Sequence, residues 1–191
     1  GTRSGSYGTL TLAGNGGWSY ALDNAAGAVQ SLAAGQTVTE NFAFNVSDGG
    51  AAVGGNLAIS IGGQNDTPIN VTPLTDQSAS ANSSWTWQVP AGSFSDIDAG
   101  DVLTYSATLA DGSGLPSWLA FDATTLTFSG RVPRSASGSI DISVKATDRL
   151  GENAVDVFNL AFDSSSGGGG GNGGGGNGGG GGSSQGNEGL G

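Results

Sequence analysis

Apolar and polar residues alternate in short runs along most of this chain, and this pattern restricts its fold more than any other feature. A period of two places successive side chains on opposite faces of a β-strand. Gly, Asn, Asp and Ser separate the runs, as is typical of turns. The predicted strands cover residues 9–12, 18–22, 42–46, 57–61, 85–89, 103–109, 119–121, 126–128, 140–144 and 158–162. We therefore expect an all-β fold of antiparallel sandwiches, with one short helix-like patch at residues 25–32.

The alternating pattern occurs twice, which predicts two related sandwich units in tandem. Phe42-x-Phe44-x-Val46-x-Asp48 matches Ile142-x-Val144-x-Ala146-x-Asp148, and a second alternating strand follows in both places. The predicted hairpin of residues 9–20 likewise matches residues 119–128. Self-similarity of this kind indicates a repeated structural unit.

A Gly-rich segment that ends at Pro68 separates the two predicted units. The proline favours an extended backbone where the chain enters the second unit. We call residues 1–66 the first unit and residues 67–163 the second unit. The second unit has about fifty residues before its matching hairpin, whereas the first has only six. We expect the first unit to be incomplete, either because the sequence begins inside it or because another segment completes it.

Residues 164–191 contain 17 glycines and one aliphatic residue, Leu190. Such a composition buries too little apolar surface to offset the entropy of ordering, so we expect a disordered, flexible tail.

The charge and the missing residue types exclude several functions. The formal net charge is −11, from 16 acidic and five basic residues, which argues against nucleic-acid binding because phosphate contacts depend on Lys and Arg. The chain has no His and no Cys, so His-based catalytic triads, thiolate chemistry and Cys or His zinc sites are excluded. No apolar run is long enough to predict a transmembrane segment.

Three carboxylates crowd into the six residues from Asp96 to Asp101, immediately before a predicted strand. Such groups repel one another unless a cation lies among them, and Ca²⁺ accepts six to eight oxygen ligands in irregular geometry. A solvated acidic turn that precedes the strand is the alternative interpretation. Asp111-Gly112 is typical of a simple hairpin turn.

The longer motifs resemble two known families. Residues 7–68 resemble the VCBS repeat, on Tyr7-Gly-Thr-Leu-Thr-Leu12, Gly17-Trp-Ser-Tyr20, Val46-Ser-Asp-Gly49 and Asn65-Asp-x-Pro68. Residues 69–163 resemble the dystroglycan-type cadherin-like domain, on Val89-Pro-Ala-Gly-x-Phe-Ser-Asp-Ile-Asp-Ala-Gly-Asp101, Asp111-Gly-Ser-Gly-Leu-Pro-Ser-Trp-Leu119 and Ala146-Thr-Asp148. Arg131 and Arg134 depart from the second pattern. Both families occur in very large bacterial surface and secreted adhesins.

The resemblance implies a calcium site at the junction between the units. Its ligands would come from the linker, the second unit and the end of the first unit. They are Asn65, Asp66, Asp96, Asp98 and Asp148, with Glu40 or Asp48 from the first unit. The carboxylate of Asp101 is expected instead to accept hydrogen bonds from the backbone amides of the turn. Calcium would stiffen the junction, since metal binding and folding are linked.

The resemblance therefore implies a non-catalytic, calcium-binding structural or adhesive module, located extracellularly on a bacterial surface or secreted. Its partners would be neighbouring domains of the same chain, and host-cell or matrix ligands or glycans. A glycan-binding module that uses exposed Trp residues is the first alternative, although we expect Trp18, Trp85 and Trp87 to face the core. A hydrolase that uses Asp96 and Asp98 as acid and base is the second.

Overall fold

The structure is a computed structural model that describes residues 1–163, and the structural statements below concern those residues. They form fourteen strands and one short helix. The elements are β1 (Thr2–Ser4), β2 (Gly8–Leu12), β3 (Trp18–Leu22), α1 (Gly27–Gln30), β4 (Thr37–Val46), β5 (Val53–Gly62), β6 (Ile69–Asn70), β7 (Gln77–Ser80), β8 (Ser84–Gln88), β9 (Phe94–Ser95), β10 (Thr104–Leu109), β11 (Leu119–Asp122), β12 (Thr127–Arg131), β13 (Gly138–Thr147) and β14 (Asn153–Asp163). The one helix found within residues 1–163 could not span a membrane.

The all-β prediction is confirmed, and every predicted strand is present. The long hairpin strands β4, β5, β13 and β14 extend well beyond the predicted runs. Four short strands were not predicted, namely β1, β6, β7 and β9. They have two to four residues each, so they are too short to show an alternating pattern. The predicted disordered tail lies outside the described residues.

The second unit is a β-sandwich. One sheet has the order β10-β13-β14-β7, in which β7 runs parallel to β14, and the other has the order β11-β12-β8. Alternate side chains of both sheets meet in one core around the fully buried Phe128 and Phe158, whose ring centroids lie 5.6 Å apart. A third, two-stranded sheet, β6-β9, leads from the linker into the sandwich at the end that carries the acidic cluster.

The first unit has fewer strands. Its sheets are β1-β2-β3 and the hairpin β4-β5, and Leu10 and Phe42 are buried in it. The predicted repeat appears as two similar long hairpins, β4-β5 and β13-β14. Within residues 1–163, β4 pairs only with β5, whereas its counterpart β13 lies between β10 and β14. The hairpin of the first unit therefore leaves more of its edge and face uncovered.

The tryptophans divide between core and surface. Trp85 and Trp87 pack against the core of the second unit, as predicted, and Trp87 lies 4.6 Å from Phe158 between ring centroids. Trp18 is 54% exposed, so the prediction that it faces a core is wrong. It begins β3, the edge strand of its sheet, and lies on a groove between that sheet and the β4-β5 hairpin.

Candidate metal centre at the junction of the two units

The acidic cluster lies in the loop between β9 and β10. The Asp96 side chain accepts a hydrogen bond from the amide of Asp98 (Oδ1 to N, 2.9 Å), and the amide of Asp101 donates to the carbonyl of Asp98 (3.2 Å). Gly100 has φ of 88°, a left-handed conformation that favours glycine. This turn reverses the chain so that Asp101 lies beside Asp96 and Asp98.

The three carboxylates converge. One oxygen from each of Asp96, Asp98 and Asp101 lies within 4.8 Å of the others. Asp98 is only 4% exposed and the side chain of Asp101 only 2%. Four of their buried oxygens, Asp96 Oδ2, Asp98 Oδ1 and both oxygens of Asp101, have no hydrogen-bond partner within residues 1–163.

Such an arrangement is unfavourable without a cation. Two like charges 4 Å apart repel by about 1 kcal/mol in water and by roughly 4 kcal/mol at the effective dielectric near a protein surface. A buried polar atom without a partner adds a desolvation penalty. Both costs are removed if a cation lies between the oxygens.

The linker is attached to the cluster through its backbone. The amide of Asp66 donates to Oδ2 of Asp98 (2.9 Å). Asp66 and Asp96 line the same cleft, which has a volume of about 510 Å³. The structure therefore places Asp66 beside the cluster, although the three carboxylates that converge are those of the loop.

Asn65 and Asp148 are joined to each other. Nδ2 of Asn65 donates to Oδ2 of Asp148 (2.8 Å), and Oδ1 of Asp148 accepts from the amides of the turn between β13 and β14. The hydrogen bond from Asn65 lowers the pKa of Asp148, and those turn amides lower it further against the opposing effect of burial. Asp148 thus remains ionised and connects the linker to the β13-β14 turn.

The first unit also touches the acidic loop. The amide of Ala99 donates to the carbonyl of Ser31, just after α1 (3.0 Å), and Nε2 of Gln36 donates to the carbonyl of Ala99 (3.4 Å). The loop that carries the carboxylates therefore contacts both units. A cation bound in it would stabilise the loop conformation on which those contacts depend.

The other two candidate ligands lie elsewhere. Glu40, on β4, is buried and accepts hydrogen bonds from the Tyr20 hydroxyl (2.6 Å) and from the amides of Ser6 and Tyr7. Asp48 lies in the exposed β4-β5 turn, where it accepts from the amide of Gly50 (3.1 Å). That turn is at the opposite end of the ten-residue β4 from the linker, roughly 30 Å away at 3.3 Å per residue. The structure does not bring either side chain to the cluster.

Asp101 differs from the sequence expectation, because its carboxylate accepts no hydrogen bond from the turn amides in the described chain. Asp96 holds the turn in its place. Arg149, which the sequence analysis did not single out, places Nη2 3.3 Å from Oδ1 of Asp101. In the sequence, only its position directly after Asp148 could have indicated a role for Arg149. The fold brings the turn that follows β13 next to the acidic loop.

The donor set fits Ca²⁺. All the free atoms are carboxylate oxygens, which are the ligands that hard cations bind. The linker and bound water could add oxygens in the adjoining cleft. Transition metals usually require imidazole or thiolate ligands, and this chain has no His or Cys.

Comparisons with known proteins agree with this architecture. The sequence profile of the family He_PIG, described as "Putative Ig domain", matches residues 67–163, which is just over half of the chain. The chain belongs to this family. The Ig-like domain matched is the sandwich that carries the acidic loop. No curated protein matches the chain in sequence.

Several solved structures share the fold. Mouse clustered PcdhgC3 EC1-3 matches 85% of the chain at 19% identity and a TM-score of 0.50, and Protocadherin gammaB7 EC3-6 matches 85% at 11% identity and 0.53. The endo-fucoidan hydrolase MfFcnA4 also matches 85% of the chain, at 20% identity and a lower TM-score of 0.40. The chain spans 23–55% of the length of these three proteins and 18% of another match from Bacteroides fragilis. At these identities the likeness shows an Ig/cadherin-like fold.

Proposed function

We propose that the chain is a non-catalytic, calcium-binding structural module in which Ca²⁺ stiffens the junction between the two units. One observation carries the proposal: Asp96, Asp98 and Asp101 each place one carboxylate oxygen within 4.8 Å of the others, and four of their buried oxygens have no hydrogen-bond partner within residues 1–163. Asp66 lies beside them, and Asn65 and Asp148 fix the linker around them.

The wider setting follows from the sequence motifs. We infer that the first unit is a VCBS-type repeat and that the Ig-like second unit is of the dystroglycan type, within a bacterial surface or secreted adhesin. The extracellular location and the partners, which are neighbouring domains and host-cell or matrix ligands, belong to the same proposal. The cadherin-like fold of the solved structures supports it.

A hydrolytic role is disfavoured by the position of the acids. A pair of catalytic carboxylates must flank the scissile bond from two sides. Asp96, Asp98 and Asp101 instead belong to a single loop and converge on one another. This arrangement suits a cation better than a substrate between two walls, so we infer that the module is not an enzyme.

Thermal unfolding with Ca²⁺ and with a chelator tests the proposal. Free Ca²⁺ at a hundred times its Kd should stabilise the chain by about 2.7 kcal/mol through mass action. Asp98→Asn should abolish most of that gain. Asp111→Asn is the matched control, because Asp111 is exposed and its side chain accepts a hydrogen bond from the Ser113 amide in a hairpin turn. A melting temperature that the chelator leaves unchanged would overturn the proposal.

The exposure of Trp18 favours glycan binding as a second candidate. Trp18 lies on a groove of about 420 Å³ between the two sheets of the first unit, together with Asn45 and Asn56. The lining residues carry no charge, and an exposed indole beside amide groups suits stacking on a neutral sugar. A glycan array with the wild type and Trp18→Ala tests this candidate; wild-type binding no higher than background would eliminate it.

A further inference from the structure

Arg149 forms the one ion pair found within residues 1–163, and its partner is a member of the acidic cluster. Nη2 of Arg149 lies 3.3 Å from Oδ1 of Asp101, whose side chain is almost fully buried, whereas the side chain of Arg149 is 67% exposed. The chain is strongly acidic, and Arg149 is the one basic residue found to pair with an acid within residues 1–163. It is located at the candidate metal centre.

Arg149 and Asp101 are in contact but do not form a hydrogen bond. Both carboxylate oxygens of Asp101 lack a hydrogen-bond partner in the described chain, so the guanidinium approaches Asp101 without forming the usual paired N–H···O geometry. The guanidinium is largely exposed, so it stays hydrated in this contact and can return to water when it leaves Asp101. Asp148 holds the backbone that follows Arg149 through the amides of Leu150 and Gly151, so the arginine can leave Asp101 without any rearrangement of the turn.

We propose that Arg149 is a built-in competitor of the divalent cation. It neutralises part of the charge of Asp101 when no ion is bound, and Ca²⁺ displaces it from Asp101 on binding. The inference rests on the proposed function. Its consequence is that Arg149 stabilises the ion-free chain and weakens its affinity for Ca²⁺, so that the junction responds to Ca²⁺ over a higher concentration range.

The alternative role for Arg149, that of a positioning residue for Asp101, makes the opposite prediction. If Arg149 held Asp101 in its ligating orientation, the removal of the guanidinium would weaken Ca²⁺ binding. The sign of the change in affinity therefore distinguishes a competitor from a positioning residue.

The experiment uses the full chain and two charge-matched variants. Arg149→Gln removes the competitor. Arg134→Gln removes the same charge from the exposed loop after β12, which lies at the opposite end of the ten-residue β13 from Asp148. Isothermal titration calorimetry with Ca²⁺ gives the Kd of each protein, and thermal unfolding in chelator gives the stability of the ion-free state. Arg149→Lys, which keeps the charge, is a further variant that should bind Ca²⁺ within about twofold of the wild type.

We expect the Kd of Arg149→Gln to be three- to tenfold lower than that of Arg134→Gln. In chelator, we expect Arg149→Gln to melt at a lower temperature than Arg134→Gln. An Arg149→Gln protein with the same or a higher Kd than the control overturns this inference while the proposed function stands. A wild type that binds no Ca²⁺ overturns both, and the two failures are thereby distinguished.

Discussion

Asn65 of the linker donates a hydrogen bond from Nδ2 to Oδ2 of Asp148 over 2.8 Å, which joins residues 83 positions apart in the sequence. The same amide group reaches the carbonyl of Asp66 (3.1 Å). The other oxygen of Asp148 accepts from three turn amides, so this one carboxylate connects the linker to the end of the long β13-β14 hairpin. This contact ties the linker to the second unit.

Removal of the Asn65 side chain should therefore loosen the junction. We expect Asn65→Ala to lower the melting temperature by about 2–4 °C, the shift that follows the loss of one net hydrogen bond. Limited proteolysis of the linker should become faster at the same time. Asn70→Ala, next to the same linker but bonded to the Val155 carbonyl at the sheet edge, is the control. Equal effects of the two variants would contradict the special role of Asn65.

The pH dependence of stability provides a second test. The pKa of Asp148 is lowered in the folded state, first by Asn65 and then by the turn amides. Its contribution to the free energy of unfolding is therefore complete above the ordinary pKa of Asp, and it is lost as the pH falls through the folded value. We expect urea unfolding between pH 5 and pH 2 to show a smaller loss of stability for Asn65→Ala than for the wild type. Parallel profiles for the two proteins would refute this.

In the first unit, the free energy of unfolding should depend on the ionisation of Glu40 in the same way. Burial alone would raise its pKa, but hydrogen bonds from the Tyr20 hydroxyl and the amides of Ser6 and Tyr7 lower the pKa overall. Burial and Glu40 together raise the pKa of Tyr20 to about 12. Tyr20→Phe should cost about 1–2 kcal/mol near neutral pH, because the buried carboxylate loses a donor. The difference from the wild type should shrink as the pH falls through the lowered pKa of Glu40, and urea unfolding at neutral and at acid pH measures it.

Gly63 tests how closely the linker packs on the first unit. A Cβ at Gly63 would overlap the carbonyl oxygens of Leu32 and Ala33, which are backbone atoms and cannot move aside cheaply. A Cβ at Gly62 would meet nothing within 4 Å. We expect Gly63→Ala to lower the melting temperature by several degrees and to weaken Ca²⁺ binding by displacing the linker, whereas Gly62→Ala should change neither. Calorimetry and thermal unfolding of the two variants provide the comparison.

Phe158 and Val157 test the sandwich itself. They are neighbours on β14, but Phe158 is 1% exposed in the aromatic core and Val157 faces solvent. Phe158→Ala should cost about 3–5 kcal/mol through lost burial and the cavity left behind. Val157→Ala should cost less than about 1 kcal/mol. Chemical denaturation measures both, and similar costs would show that the two faces of β14 are wrongly assigned.

Most of the strands could be predicted from the local sequence pattern. The run from Ile140 to Val144 alternates strictly between apolar and polar residues, and only a half-buried strand matches that period. The acidic loop was also evident, because three carboxylates within six residues, with Gly100 among them, are a local feature. Short strands such as β6 and β9 were not evident, since two residues carry no period.

Which side chains meet depends on contacts between distant parts of the chain. The orientation of Asp101 depends on the left-handed turn at Gly100, and the approach of Arg149 depends on the packing of the β13-β14 turn against a loop almost fifty residues earlier. Trp18 is exposed although its strand alternates in the same way as that of Trp87, which is partly buried against the core of the second unit. Alternation specifies two faces of a strand, but the partner that covers each face is set by long-range packing, which a local pattern does not encode.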